Sequence, residues 1–276
     1  MIKMSKYLSL LLSALLSIIC TIICVPGAIA TELDKTIKFA TEATYPPFVT
    51  MTPSGDIGGF ETDLIKNICE EAHLKCEFHH RPFDSLFPNL ALKKIDAIYG
   101  CVGISEERQA QVLFSKPLYI APVGFIYVSS EKANIEQASM GTVNINKESL
   151  SGKTIAIQQG TPTFEHYLKN QYPNIKIKTY ASIQDALLDL NTSRVYAVFG
   201  DIPVFKYWLQ NKQNTKQQNS QSYSILQLPK DEIPEFSKGN AIAVRKDDQE
   251  LITKINHAID KLSAKNQLKI PKAYLD

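Results

Sequence analysis

Three stretches of this chain gather side chains able to grip a small ion. The strand-like run Thr154 to Gln158 leads into Gln159-Gly160-Thr161-Pro162-Thr163-Phe164 and then a helical Glu165 to Leu168. Thr161 suits an N-cap and Pro162 the first helical position. The N–H groups of Thr163 and Phe164 are then left at a helix N-terminus, where a carboxylate is welcome. The alternative is an ordinary capped helix with water at its end. Arg108 follows Ser105-Glu106-Glu107 and can hold a carboxylate in a bidentate fork, unless it forms a solvated ion pair with its Glu neighbours. Glu42 and Tyr45-Pro46-Pro47-Phe48 place a carboxylate beside aromatic rings on one loop.

Catalytic arrangements are harder to find. His79 and His80 are adjacent in a strand and point to opposite faces, which is poor geometry for joint metal binding. The other histidines, His73, His166 and His257, are scattered, and neither Gly-x-Ser-x-Gly nor His-Glu-x-x-His occurs. No catalytic residue, metal or cofactor is expected. Of the cysteines beyond Cys24, Cys69 and Cys76 flank a short loop that a disulfide can close in an oxidising compartment. Cys101 is left over, as a reactive thiol or, more commonly for such a residue, a small buried hydrophobe.

The elements that must position these groups alternate. Strands at Ile37 to Ala40, Ile95 to Tyr99 and Thr154 to Gln158, with a helix through Leu64 to Ala72, argue for α/β architecture with largely parallel sheets. Phe83 to Gly100 and Ile183 to Gly200 share an apolar pattern at a constant offset of 100 residues. Each reads as a helix with inward leucines (Leu86 and Leu90; Leu187 and Leu190), a polar basic turn and a buried strand ending at Gly. Two such units suit two similar lobes, with ligands expected beyond the strand ends at Gly100-Cys101 and Gly200-Asp201. Asn211 to Ser222 has no apolar residue and reads as a solvated loop.

Met1 to Ala30 opens with Lys3 and Lys6, runs apolar from Leu8 to Val25, breaks at Pro26-Gly27 and ends Ala28-Ile29-Ala30. This is the plan of a secretory signal peptide cut after Ala30, with an uncleaved anchor as the alternative. Lipidation is disfavoured, because Cys20 and Cys24 each follow Ile. The 276 residues are 44% hydrophobic and 21% charged, which excludes disordered, collagenous and multi-span membrane classes. At ~150 residues per domain the length fits one large domain or two modest ones. Lys and Arg total 30; without Lys3 and Lys6 they equal the 28 acidic residues, so nucleic acid is not an expected partner.

In order, the stretches FATEATYPPF, GGFETDLIKNICEEAHLKC, FDSLFPNLALKKIDAIYG, ISEERQAQVLFSKPLY, LSGKTIAIQQGT, AVFGD and GNAIAVRKDD resemble the periplasmic polar-amino-acid-binding proteins of ABC transporters, most of all the arginine and lysine-arginine-ornithine binders. The resemblance covers nearly the whole chain after the leader. It implies a two-lobed clamp of type II, each lobe a mixed, mostly parallel sheet flanked by helices, with two crossover strands. Residues 31–121 and 237–276 would form one lobe and 122–236 the other. It implies delivery of a polar, cationic amino acid, arginine first, to a membrane permease by a periplasmic monomer; lysine, ornithine and histidine remain alternatives.

Carried over residue by residue, Tyr45 and Phe83 would sandwich the ligand side chain, Glu42 would meet its distal cation, Arg108 would fork the α-carboxylate with help from Thr161, and Asp201 would accept the α-ammonium. The expected set is Glu42, Tyr45, Phe83, Gly100, Cys101, Gly103, Arg108, Gln158, Thr161, Thr163 and Asp201. This chain departs from the pattern at Gly100, Cys101 and Gly103, where the family usually has serines or an Asp. The Gly100 carbonyl and the Cys101 N–H can still serve the ligand, but a side chain at Gly103 is missing, and Pro162 removes an N–H that often binds the carboxylate. Two rival functions are a cyclohexadienyl dehydratase-like enzyme on the same clamp, with Glu42 or Asp201 as general acid, and a ligand-sensing surface protein.

Overall fold

The computed structural model describes residues 35–139, 142–214, 221–229 and 233–268. The expected leader, with its cut after Ala30 and Cys20 and Cys24, lies outside the described residues. β1 (Ile37–Thr41) is followed by a small antiparallel sheet of β2 (Thr44–Tyr45), β3 (Val49–Met51) and β4 (Ile57–Gly58). Next come α1 (Phe60–Glu71), β5 (Cys76–His80), α2 (Leu86–Ala91), β6 (Ala97–Ile98), α3 (Glu106–Gln111) and β7 (Val112–Phe114). The middle of the chain supplies β8 (Val123–Val128), α4 (Lys132–Ile135), the hairpin β9 (Glu136–Ser139) and β10 (Thr142–Ile145), β11 (Thr154–Gln158), α5 (Pro162–Gln171) and β12 (Lys176–Tyr180). It continues through α6 (Ile183–Asn191), β13 (Ala197–Asp201), α7 (Ile202–Asn214) and β14 (Tyr223–Gln227), and ends with β15 (Ala243–Arg245) and α8 (Gln249–Ala264).

Two five-stranded sheets result, ordered β5-β1-β6-β15-β7 and β12-β11-β13-β8-β14. They are wired alike. In each, three parallel strands come first and two antiparallel neighbours complete the sheet. The chain leaves the first sheet after β7 and returns to it at β15, and the two crossings meet where Tyr119 and Asn240 form an antiparallel bridge. This is the type II two-lobed α/β clamp. Phe39 packs against Phe78 and Tyr99 at 6.0 and 6.2 Å between ring centres in the first half, and Phe199 against Phe125 and Tyr167 at 4.8 and 5.5 Å in the second.

The internal repeat extends to the hydrogen bonds. After α2, Lys93 N–H donates to Leu90 O and Lys94 N–H to Asn89 O; after α6, Ser193 N–H donates to Leu190 O and Arg194 N–H to Asp189 O. Lys93 and Ser193 are both left-handed, with φ of 57° and 56°. That conformation ends a helix by folding its last carbonyls back onto the following amides. Each turn aims the next strand into its sheet, toward Gly100 and Gly200.

α1 begins with Glu61 and Asp63 in its first turn, on the side favoured by the helix dipole, and buries Leu64, Ile65 and Ile68 on one face. Its last turn is tied to β5 by the Cys69–Cys76 disulfide. The polar run from Asn211, expected as a loop, instead starts inside a helix: residues 211–214 are the last turn of α7. The reason is packing, since Lys212 Nζ lies 4.9 Å from the Trp208 ring centre and 4.3 Å from that of Tyr223, covering apolar surface with a polar residue. Residues 215–220 lie outside the described ones. No helix among the described residues is long and apolar enough to cross a membrane.

Opening the short Cys69–Cys76 loop should cost about 2 kcal/mol in the chain-entropy model. Denaturant titration of Cys69→Ser/Cys76→Ser against the native chain, without reductant, measures it; coincident curves would show that the bridge contributes nothing.

Candidate functional site

A cavity lies at the carboxyl ends of the parallel strands of both sheets, lined by every residue of the expected set. Glu42 and Tyr45 follow β1, Phe83 follows β5, and Gly100, Cys101 and Gly103 follow β6, with Arg108 on α3. From the other sheet come Gln158 at the end of β11, Thr161 and Thr163 at the start of α5, and Asp201 at the end of β13. Parallel strands place their ends together on one edge, which is why residues far apart in sequence converge there.

The polar groups of the two halves meet directly. Tyr45 OH donates to Asp201 Oδ2 at 2.5 Å. Gln158 Nε2 donates to Glu42 Oε2, while Thr44 Oγ1 donates to Glu42 Oε1 at 2.6 Å. Arg108 is buried. Its Nη1 donates to Gly103 O at 2.9 Å and its Nη2 to Gly160 O, across the cleft, at 3.0 Å. Its guanidinium also lies 5.7 and 5.1 Å from the ring centres of Phe83 and Phe87. The ion pair with Glu106 and Glu107 that the sequence left open is therefore not its fate. At the rim, Gln159 Nε2 donates to Asp84 Oδ2 at 3.0 Å. A side chain at Gly160 would meet Asp84 Cα at 3.1 Å and the Phe83 ring at 3.3 Å, so a left-handed glycine (φ 80°) allows the halves to approach here.

Burial sets the electrostatics. The Asp201 carboxyl is pushed up to about 6 by desolvation, partly offset by the Tyr45 hydroxyl and the Cys101 thiol and reinforced by Glu61. Glu42 is likewise raised by burial, against hydrogen bonds from Thr44 and Gln158 and with Asp84 and Asp185 adding repulsion. Arg108 is lowered to about 10 by desolvation, with Glu107 acting the other way. Burial also pushes the Cys101 thiol well up, and Asp201 and Glu61 add to it, so the thiol stays protonated and unreactive at neutral pH. Two carboxylates and one guanidinium thus share one poorly solvated cavity. Among the described residues no group of His, Cys, Asp and Glu could hold a metal ion.

Three expectations need correction. Thr161 is the N-cap by position, yet its hydroxyl donates to Gln158 O at 2.6 Å and caps nothing. The Phe164 N–H is not free, because it donates to Thr161 O at 3.1 Å. The Cys101 N–H, expected to serve a ligand, donates at 2.8 Å to Glu61 Oε2, and the Gly100 N–H donates to Glu61 Oε1 at 3.0 Å. Tyr119 OH completes this buried carboxylate's shell at 2.5 Å. Glu61 holds the Gly100–Cys101 turn, in which Cys101 is left-handed at φ 54° and Gly100 has φ 109°. A Cβ at Gly100 would meet Thr41 Oγ1 at 2.3 Å. A serine here, as the family usually has, would need the Thr41 side chain to move and would be strained at this positive φ. Sequence reading passed over Glu61 because an acid in the first turn of a helix ordinarily reads as a solvated partner of the helix dipole.

Two α/β halves joined by two crossings around a polar, charge-lined cleft define a binding-protein clamp. The chain belongs to the bacterial extracellular solute-binding proteins, family 3, which it matches over residues 37–275. It is 34% identical over 231 residues to the putative ABC transporter arginine-binding protein 2 of Escherichia coli (strain K12), covering 83% of this chain and 85% of that one. It is 30% identical over 250 residues to the histidine-binding periplasmic protein of the same organism, covering 88% and 89%. Among solved structures it resembles a Salmonella typhimurium periplasmic binding protein of high arginine specificity, with TM-score 0.72, 30% identity and coverage of 87% and 99%. An ancestral arginine-binding protein bound to glutamine gives TM-score 0.70, 30% identity and coverage of 87% and 96%.

Because Asp201 titrates near 6 in the fold against 3.8 unperturbed, the folded state holds its proton more tightly. Relative to Asp201→Asn, the native chain should therefore lose stability as pH rises from about 4 to about 6, by up to about 3 kcal/mol, and stay level above. Guanidinium melts of both proteins at several pH values test this; a difference that does not vary with pH would show that Asp201 carries no burial penalty.

Proposed function

We propose that this chain binds a cationic amino acid, L-arginine first, outside the cytoplasm and delivers it unchanged to the permease of an ABC transporter. On this reading residues 31–121 with 237–276 form one jaw and 122–236 the other, and the protein is a periplasmic monomer released by cleavage after Ala30. The observation that carries it is the charge balance of the cleft. Arg108 offers one buried cation to a carboxylate, while Asp201 and Glu42 offer two desolvated carboxylates. The complementary ligand has one carboxylate and two cations. Arginine, lysine and ornithine all have that count. Arginine is preferred because a planar, weakly hydrated guanidinium stacks well on rings such as Tyr45 and Phe83. The names of the relatives support the same substrate class.

Each ligand cation would replace a contact that the protein makes with itself. An α-ammonium at Asp201 displaces the Tyr45 hydroxyl, and a distal cation at Glu42 displaces the Gln158 amide. A ligand bonded to both jaws then favours closure over opening. Affinity near 1 μM corresponds to ~8 kcal/mol, within reach of a few charge-assisted hydrogen bonds of ~1.5 to 3 kcal/mol each plus stacking. Cys101, with its raised pKa, fills space in this site and takes no part in chemistry.

A thermal-shift screen across the common amino acids and ornithine tests the reading. Arginine should raise the melting temperature most, and no shift with any of them would point to a sensor or adhesin instead. Asp201→Ala should abolish most binding, because it leaves a buried ammonium unpaired; unchanged calorimetric affinity would remove Asp201 from the site. Glu42→Gln should weaken arginine more than glutamine, and equal losses would contradict the distal-cation role. Incubation with arogenate or prephenate, followed by a search for the aromatic product, checks for the dehydratase activity of the rival reading.

A further inference from the structure

Asn240 lies on the return crossing between the halves and lines the cleft, 7% exposed. Its backbone is fixed on both sides. Its N–H donates to Tyr119 O at 2.7 Å and its carbonyl accepts from Leu118 N–H at 2.8 Å, and bridges pair it with both Tyr119 and Gly103. Its side-chain amide, by contrast, has no hydrogen-bond partner among the described residues. The amide is open to the cleft, not sealed off, since the only fully buried side-chain polar atom without a partner among the described residues is Thr41 Oγ1, so it is free to bond whatever the cleft holds.

What it faces is the side-chain position that Gly103 leaves bare. A Cβ built on Gly103 would stand 3.8 Å from Asn240 Oδ1 and 3.9 Å from Arg108 Nη1, touching nothing else. This is an open corner flanked by one amide and one guanidinium. A cation there is repelled by Arg108. A carboxylate oxygen can accept both from Arg108, whose Nη1 retains a second hydrogen beyond the one given to Gly103 O, and from the Asn240 amide nitrogen. The amide can turn to present that nitrogen, since its two ends are nearly equal in shape.

We propose that Asn240 is a ligand-contacting residue of this cleft, donating from its side chain to the carboxylate held by Arg108 in the corner left open by Gly103. The proposal rests on the reading of the cleft as an amino-acid site and names a contact which that reading lacked. It accounts for a chain that can dispense with a polar side chain at residue 103 and with an N–H at Pro162. Because Asn240 sits on a crossing, its contact is available whichever jaw moves.

Calorimetric titrations of the native chain, Asn240→Ala, Asn240→Asp and Asn240→Ala/Gly103→Ser with L-arginine and with agmatine, which lacks the carboxylate, test it. Asn240→Asp should weaken arginine by about tenfold or more, the scale of a lost hydrogen bond to a charged group, and Asn240→Ala by somewhat less. Agmatine should bind all four proteins alike, and Gly103→Ser should restore part of the arginine affinity lost in Asn240→Ala by placing a hydroxyl in the same corner. Unchanged arginine affinity in both single variants, or parallel losses for arginine and agmatine, would overturn the proposal, the second result marking a purely structural role. If agmatine is too weak to titrate, the serine rescue decides, and its absence counts against the contact. A native chain that binds no amino acid would instead refute the proposed function, and this contact with it, before any variant is made.

Discussion

A carboxylate buried at the end of a strand, with no cation beside it among the described residues, is the constraint around which this cleft is built. Asp201 ends β13, is 6% exposed, and is met by a tyrosine hydroxyl and a thiol where an ammonium or guanidinium would suit it better. Desolvating an anion without a countercharge is costly, and its raised pKa records that cost. The Tyr45 hydroxyl and the Cys101 thiol offset part of that cost. Glu42 repeats the condition a short distance away in sequence from Tyr45, the residue that now satisfies Asp201.

The same groups also hold the two halves together. Tyr45 to Asp201, Gln158 to Glu42 and Arg108 to Gly160 all run from one sheet's loops to the other's. A zwitterion bound as proposed would compete with these contacts as much as it would add to them. Net affinity is then a difference between ligand contacts and internal ones, so it depends on how much stronger a charged partner is than a neutral hydroxyl or amide. With only neutral partners at both carboxylates, that difference would favour a cation.

Behind the cleft, Glu61 fixes the loop that carries Gly100, Cys101 and Gly103. It accepts two backbone amides and the Tyr119 hydroxyl while fully buried. Tyr119 stands on the outgoing crossing and pairs with Asn240 on the return. One buried acid therefore joins α1, the strand-end turn and the crossings between halves. The glycine at position 100 follows from the same packing, since Thr41 already occupies the space a side chain would need.

Much of this was written in the sequence. The apolar period set the strands and helices, and the offset of 100 residues between Phe83–Gly100 and Ile183–Gly200 gave two halves with matching turns at Lys93 and Ser193, because hydrophobic spacing and helix-ending conformations are local properties. Strand ends likewise located the cleft, and the lining residues were found from motif order. Only the tertiary structure decided who satisfies whom. That Cys101's amide serves Glu61, that Thr161's hydroxyl turns back to Gln158, that Arg108 avoids its neighbouring glutamates, and that Asn240's side-chain amide has no partner among the described residues are outcomes of packing. Hydrogen-bond partners in a buried site are chosen by distance and desolvation among groups brought together from remote parts of the chain, and residue type and spacing do not encode those distances.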